Sequence, residues 1–148
     1  MALRRRPARA RPRSELAAPL NAELRIAEAA GHKVVEGPPD SALMAKPDDV
    51  SRVIEACFSA RALSALLYAR NLTPAFFDLS SGEAGAILQK LRNYRIRLAV
   101  VCPPGEVAFS SRFGEMVAEE RRGPHFRLFE TRQAAWDWLT ATSPGASE

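Results

Sequence analysis

Cysteine is scarce, with two residues in 148, which excludes a small scaffold stapled by disulfides. No apolar run approaches the roughly 20 residues of a membrane-spanning helix, so no membrane partner is expected. Lysine is nearly missing: three lysines stand against eighteen arginines. That bias suits a GC-rich coding sequence, so an arginine here does not by itself signal phosphate chemistry. Phosphate-binding glycine loops are absent too. Gly82-Glu83-Ala84-Gly85 has neither the Lys-Ser/Thr of a P-loop nor the spacing of a dinucleotide fingerprint, and Gly85 reads instead as room for close packing.

The scarcity extends to chemistry. Cys57, Cys102, His32 and His125 are the only cysteines and histidines. They are far apart, on different expected elements, with no Cys-x-x-Cys or His-x-x-x-His spacing, so no metal and no cofactor are expected. Ser81-Gly82 lacks a surrounding Gly-x-Ser-x-Gly, and Cys102 ends a strand with no base nearby in sequence. No catalytic residue is assigned, and the reading leans away from an enzyme.

What the chain does have is a charge split. Six arginines and no acid fall in residues 1–13, while the rest is mildly acidic. Residues 1–21 therefore read as a disordered Arg/Pro-rich tail, because a segment this poor in apolar residues cannot offset its ordering entropy. Nucleic acid would be contacted only through this tail, by counterion release. Pro19 and Asn21 interrupt the Ala/Leu stretch that a secretory signal would need, so a cytoplasmic location is expected. Apolar residues make up 47%, enough for one core. The folded domain is placed at 22–142, with a second disordered tail over 143–148.

Periodicity orders the domain. Leu24–Ile26 and Lys33–Glu36 flank a turn at Gly31 and read as an N-terminal hairpin. Pro47-Asp48-Asp49 starts a helix whose apolar face is Val50, Val53, Ile54, Cys57 and Phe58. Leu63–Tyr68 is a buried strand. Ser80 and Glu83 fit a capping box ahead of the stripe Ala84, Ile87, Leu88 and Leu91. Arg95–Cys102 is the strongest strand, with Ile96, Leu98 and Val100 facing one way and Arg97, Ala99 and Val101 the other. Phe113, Met116 and Val117 mark a third helix. Phe126–Phe129 is a strand, and Thr131 caps a last helix. The order β-β-α-β-α-β-α-β-α predicts a single α/β domain with a mixed, mostly parallel sheet, an N-terminal β-hairpin and about four helices.

The segment from Phe76 to Tyr94 concentrates unusual residues: Phe76-Phe77, Asp78, Ser80, Ser81, Gln89, Asn93 and Tyr94. Asp78, Ser80, Ser81, Asn93 and Tyr94 are the candidate binding residues. Asp78–Gly85 would form a polar contact surface at a helix start. As pure structure, the same residues would cap the two ends of that helix.

Phe76-Phe77-Asp78-Leu79, Gly82, Ala84-Gly85, Ile87–Lys90, Asn93-Tyr94 and Arg97–Val100 resemble the core motif of a bacterial domain-of-unknown-function family, number 4180. The resemblance spans roughly Leu24 to Leu139. After the central strand that family tends to carry Gly-Asp and an aromatic, where this chain has Cys102-Pro103-Pro104. It favours Ser-Asn where this chain has Glu120-Arg121, and an arginine where Gly114 stands. The element order, with Ser80-Ser81-Gly82 entering a helix, also resembles the STAS fold of anti-sigma-factor antagonists. That likeness implies a serine phosphoswitch controlling a partner, here at Ser80 or Ser81.

These readings converge on a non-catalytic, STAS-like regulatory module recognising an unknown protein or small ligand. The alternative is a small enzyme or ligand-binding protein with a pocket near Asp78, Asn93 and Tyr94. The loop Cys102–Glu106 is next in line as a site.

Overall fold

The computed structural model describes residues 24–141, apart from Ala30 and Asp40; the two expected tails lie outside the described residues. Strand β1 (Arg25–Ala29) pairs antiparallel with β2 (His32–Glu36). Ala29 sits opposite His32, and Gly31 turns the chain at φ +83°, a left-handed conformation that tight hairpin turns use and glycine adopts freely. Helix α1 (Val50–Ala60), β3 (Ser64–Tyr68), α2 (Glu83–Asn93), β4 (Arg97–Val101), α3 (Ser111–Glu120), β5 (Phe126–Phe129) and α4 (Arg132–Leu139) follow. The sheet order is β1-β2-β3-β4-β5, and every pair after the first is parallel. The α/β architecture, the mostly parallel sheet, the hairpin and the four helices are as the periodicity predicts.

Because each strand lies beside its predecessor, the chain steps across the sheet in one direction. Crossovers of one hand then leave their helices on one face. Val35, Leu67, Leu98, Val100 and Phe126 meet α1, α2 and α3 there. Val34, Leu66, Ala99 and Val101 face the other way, where Ala135 and Leu139 of α4 cover them. The alternation along β4 is thus buried on both faces, as a central parallel strand requires. Phe76, Phe77 and Phe113 pack edge-on to one another at 5.2–5.7 Å between ring centres and fill the space between α2, α3 and the sheet.

Four local expectations are corrected. Leu63, read as the first residue of a buried strand, precedes β3 and is 64% exposed. Phe58 is not on the buried face of α1 but 59% exposed. Cys57 takes the inward position at that level, and the next residue turns about 100° away from it. The Ser80–Glu83 capping box does not form. A short 3-10 turn, Leu79–Ser81, intervenes, and Gly82 at φ +82° becomes the N-cap of α2. A glycine able to enter left-handed space separates turn from helix and moves the helix start past Ser80. Gly85, expected to allow close packing, is exposed, with open space where a Cβ would stand.

Candidate functional site

Ligands of open parallel sheets usually sit beyond the carboxyl ends of the strands, where the strand order reverses. Here the order never reverses, so no crevice opens between diverging loops. Instead the segment joining β4 to α3, residues 102–110, runs over the carboxyl edge and leaves three clefts beneath and beside it. One, of about 380 Å³, is lined by Arg70, Leu72, Pro74, Phe77, Glu106 and Val107 among others. A second, of about 320 Å³, shares Ala69, Arg70 and Glu106 with the first and adds Tyr68, Glu130 and Arg132. The third, of about 550 Å³, lies under Cys102–Gly105 and reaches Phe109, Arg121, Leu128 and Ala134.

The Arg70–Glu106 ion pair stands in the wall common to the first two clefts. Arg70 Nε donates to Glu106 Oε2 at 2.8 Å. Arg70 is placed by the turn that follows β3, Glu106 by the loop that follows β4, so the pair ties neighbouring strand ends together. The rest of the first cleft is largely apolar, from Leu72, Pro74, Phe77, Val107 and Ala108. An apolar lining with a few fixed polar groups is the usual make-up of a small-molecule site.

Behind the second cleft lies a polar triad built on a buried carboxylate. Glu36 ends β2, Tyr68 ends β3, and both point to the α4 face. Tyr68 Oη donates to Glu36 Oε2 at 2.5 Å, and Arg132 gives Glu36 two bonds, Nε to Oε2 at 2.8 Å and Nη2 to Oε1 at 3.0 Å. The guanidinium also lies over the Trp136 ring, 5.0 Å from its centre. Burial of Glu36 disfavours its charge, yet the bonds from Arg132 and Tyr68, with the charges of Arg132 and Arg25, outweigh it and hold the carboxyl below its ordinary range. Burial, then the bond and charge of Glu36, pushes the Tyr68 phenol up to about 12.

Asn71 organises the same edge. It is fully buried; its Nδ2 donates to the carbonyls of Pro38 and Ser41 at 2.7 and 2.9 Å, and its Oδ1 accepts the Tyr68 N–H at 2.7 Å. The segment after β2 is thereby fastened to the end of β3. Cys102, at the end of β4, lines the third cleft, but burial and the charge of Glu106 push its thiol up. Among the described residues, no three His, Cys, Asp or Glu side chains come together as a metal site, and no helix is long and apolar enough to cross a membrane.

The five candidate residues read from the sequence fall on the flank of the molecule, at the two ends of α2. Asp78, Ser80 and Ser81 are exposed ahead of its start. Asp78 Oδ1 accepts from the Ser80 N–H at 3.1 Å and from its hydroxyl at 2.8 Å. Ser81 Oγ donates to the Ala75 carbonyl at 2.6 Å and accepts the Glu83 N–H at 3.1 Å. Asn93 and Tyr94 lie at the far end of the helix, some 16 Å along it for its eleven residues. There Asn93 accepts from Gln89 and Tyr94 meets Phe58 edge-on. The structure does not bring the two groups together. Sequence reasoning reached the carboxyl edge only through the Cys102–Glu106 loop. It missed Glu36, Tyr68, Arg70, Asn71 and Arg132, although four of them sit at or just after the end of a predicted strand.

The chain belongs to the family described as "Domain of unknown function (DUF4180)", whose profile matches residues 29–139. No curated protein and no solved structure matches the chain.

Proposed function

We propose that the chain is a recognition module whose ligand is a small, largely apolar molecule held in the clefts at the carboxyl edge. The observation that carries this reading is the Arg70–Glu106 pair, set in the wall shared by two clefts of about 380 and 320 Å³. The first cleft, with its mainly apolar lining and this oriented ion pair, suits orientation-specific capture of a small molecule, and the second extends it with charged groups. The titratable groups nearby favour binding over catalysis. Glu36 is held ionised by two partners, and the Tyr68 and Cys102 protons are held more tightly than usual. Near neutral pH none of the three is poised to exchange a proton.

A fragment screen read by amide chemical shifts tests this. Shifts clustering on residues 69–77 and 102–109, and weakened in Glu106→Gln, are the expected result. Fragments that perturb none of these amides would overturn it.

A second reading makes Asp78–Gly85 a regulatory protein-contact surface. It is supported by the exposure of Asp78, Ser80 and Ser81 together on one tip. Partner capture lost on Ser80→Asp, with the clefts still binding fragments, would favour this surface.

A further inference from the structure

The opposite edge of the sheet carries a feature that the clefts do not use. Phe58, Leu63 and Tyr94 are 59%, 64% and 45% exposed, three of the five large apolar side chains left in solvent among the described residues. They are not scattered. Phe58 and Tyr94 touch edge-on, 5.4 Å between ring centres. Leu63 lies where the turns after α1 and α2 meet, its carbonyl accepting the Arg97 N–H at 2.9 Å.

Both turns are built alike. After α1, the Ala62 N–H reaches back to the Cys57 carbonyl; after α2, the Ile96 N–H reaches back to the Leu91 carbonyl. In each, the residue in left-handed conformation is an arginine, Arg61 at φ 61° and Arg95 at φ 60°. Glycine is the favoured occupant of that position, because a side chain there strains the backbone. A cation near a helix carboxyl end is favoured by the dipole, but neighbouring positions with ordinary backbone give the same benefit without the strain. Strained residues kept on both sides of an exposed apolar patch point to a use for their side chains. Both arginines are exposed, and among the described residues no acid pairs with either. The nearest acid in sequence to Arg61 is Glu55, one helical turn before Phe58, and the nearest to Arg95 is Glu106, eleven residues on.

We infer that Phe58, Leu63 and Tyr94, flanked by Arg61 and Arg95, dock an acidic polypeptide segment that carries an apolar side chain. The apolar residue would cover Leu63 and the two ring edges, while its acidic neighbours would meet the arginines. Single-stranded nucleic acid fits less well. The two rings lie at 80° to each other rather than as parallel platforms, and the most exposed member is aliphatic, whereas bases bind by stacking.

The test is selection of a displayed library of random dodecamer peptides on the wild-type chain, followed by binding assays on synthetic copies. Enriched peptides should combine Asp or Glu with a large apolar residue and shift the amides of residues 58–63 and 94–97. They should bind about tenfold more weakly to Leu63→Glu and to Arg61→Gln, substitutions of exposed side chains that keep the chain folded, as a thermal scan checks. Peptides enriched without acidic residues, or binding both variants unchanged, would overturn the proposal. So would selective binding of an oligonucleotide at these residues, or a concentration-dependent dimer of the chain that Leu63→Glu dissolves. Amide shifts confined to the clefts would overturn it while leaving the carboxyl-edge reading intact.

Discussion

Glu36 and Arg132 are 96 residues apart in the chain and share two hydrogen bonds, at 2.8 and 3.0 Å. This pair pins the first turn of α4 to the end of β2, across the face that α4 covers. The two partners are unequal: Glu36 is 3% exposed, and the Arg132 side chain is 44% exposed.

That inequality predicts unequal mutations. Arg132→Ala leaves a buried carboxylate with only the Tyr68 hydroxyl, and should cost about 2–3 kcal/mol. This is the low side of the cost of orphaning a buried charge, because water can reach part of the site. Glu36→Gln lets Arg132 swing into solvent and should cost about 1 kcal/mol. Urea unfolding of both variants checks the order; equal costs would mean that the carboxylate is solvated once α4 loosens.

The same triad sets the pH limits of stability. Glu36 is held below its ordinary 4.5, so its contribution is present above that value and lost as pH falls through the folded one. Tyr68 is raised from 10.0 to about 12. Its contribution is complete below pH 10 and lost as pH rises toward 12, because the unfolded chain deprotonates first. Thermal midpoints measured across pH should therefore fall at both ends. Tyr68→Phe should flatten the alkaline limb, and Arg132→Ala the acid one.

Much of this fold was legible because its signals are local. β4 alternates residue by residue, Thr131 stands just before α4, and Pro47 with two aspartates opens α1. The triad was not legible, because nothing near Glu36 in sequence announces that β2 will end two strands from β4 and under α4. Phe58 misled for a related reason: periodicity gives a stripe, but Cys57 fills the inward position at that level and the residue after it points about 100° away. The N-cap of α2 was read two residues early, at Ser80, because Gly82 can adopt a conformation that interrupts the helix.

Gly37 and Asn71 form a second coupled pair. A Cβ on Gly37 would press into Asn71 Oδ1, so Gly37→Ala should cost about 1–3 kcal/mol by overpacking. Asn71→Ala should cost a similar amount, by orphaning the Pro38 and Ser41 carbonyls and the Tyr68 N–H. Combined, the two should cost less than their sum by at least about 0.5 kcal/mol, as measured by a double-mutant cycle in urea. Strict additivity would mean that the Gly37 backbone moves instead of the asparagine.

Gly85 gives a stabilising prediction. It lies in the first turn of α2, exposed, with nothing within 4 Å of where a Cβ would stand and without a positive φ. Gly85→Ala should raise stability by about 0.5–1 kcal/mol through helix propensity and a less flexible unfolded chain. A loss of stability in the thermal scan would show that α2 begins beyond this position in solution.

Ser80 and Ser81 separate structure from contact at the start of α2. Ser81 Oγ makes two bonds to the backbone, to Ala75 and from Glu83, and so joins the preceding turn to the first turn of the helix. Ser81→Ala should cost about 1 kcal/mol, as for a lost cap, and Ser81→Asp should cost no less, because a carboxylate cannot donate to the Ala75 carbonyl. Ser80 donates only to the exposed Asp78 carboxylate, which keeps the Ser80 N–H when the hydroxyl goes. Ser80→Ala should therefore change stability by less than about 0.5 kcal/mol. With the fold held constant, Ser80→Asp places a charge beside Asp78 on the exposed tip, and any loss of partner capture then reports contact alone. If Ser80→Ala unfolds the chain more easily than Ser81→Ala, the tip is a structural cap and cannot serve as the separable switch surface of the second reading.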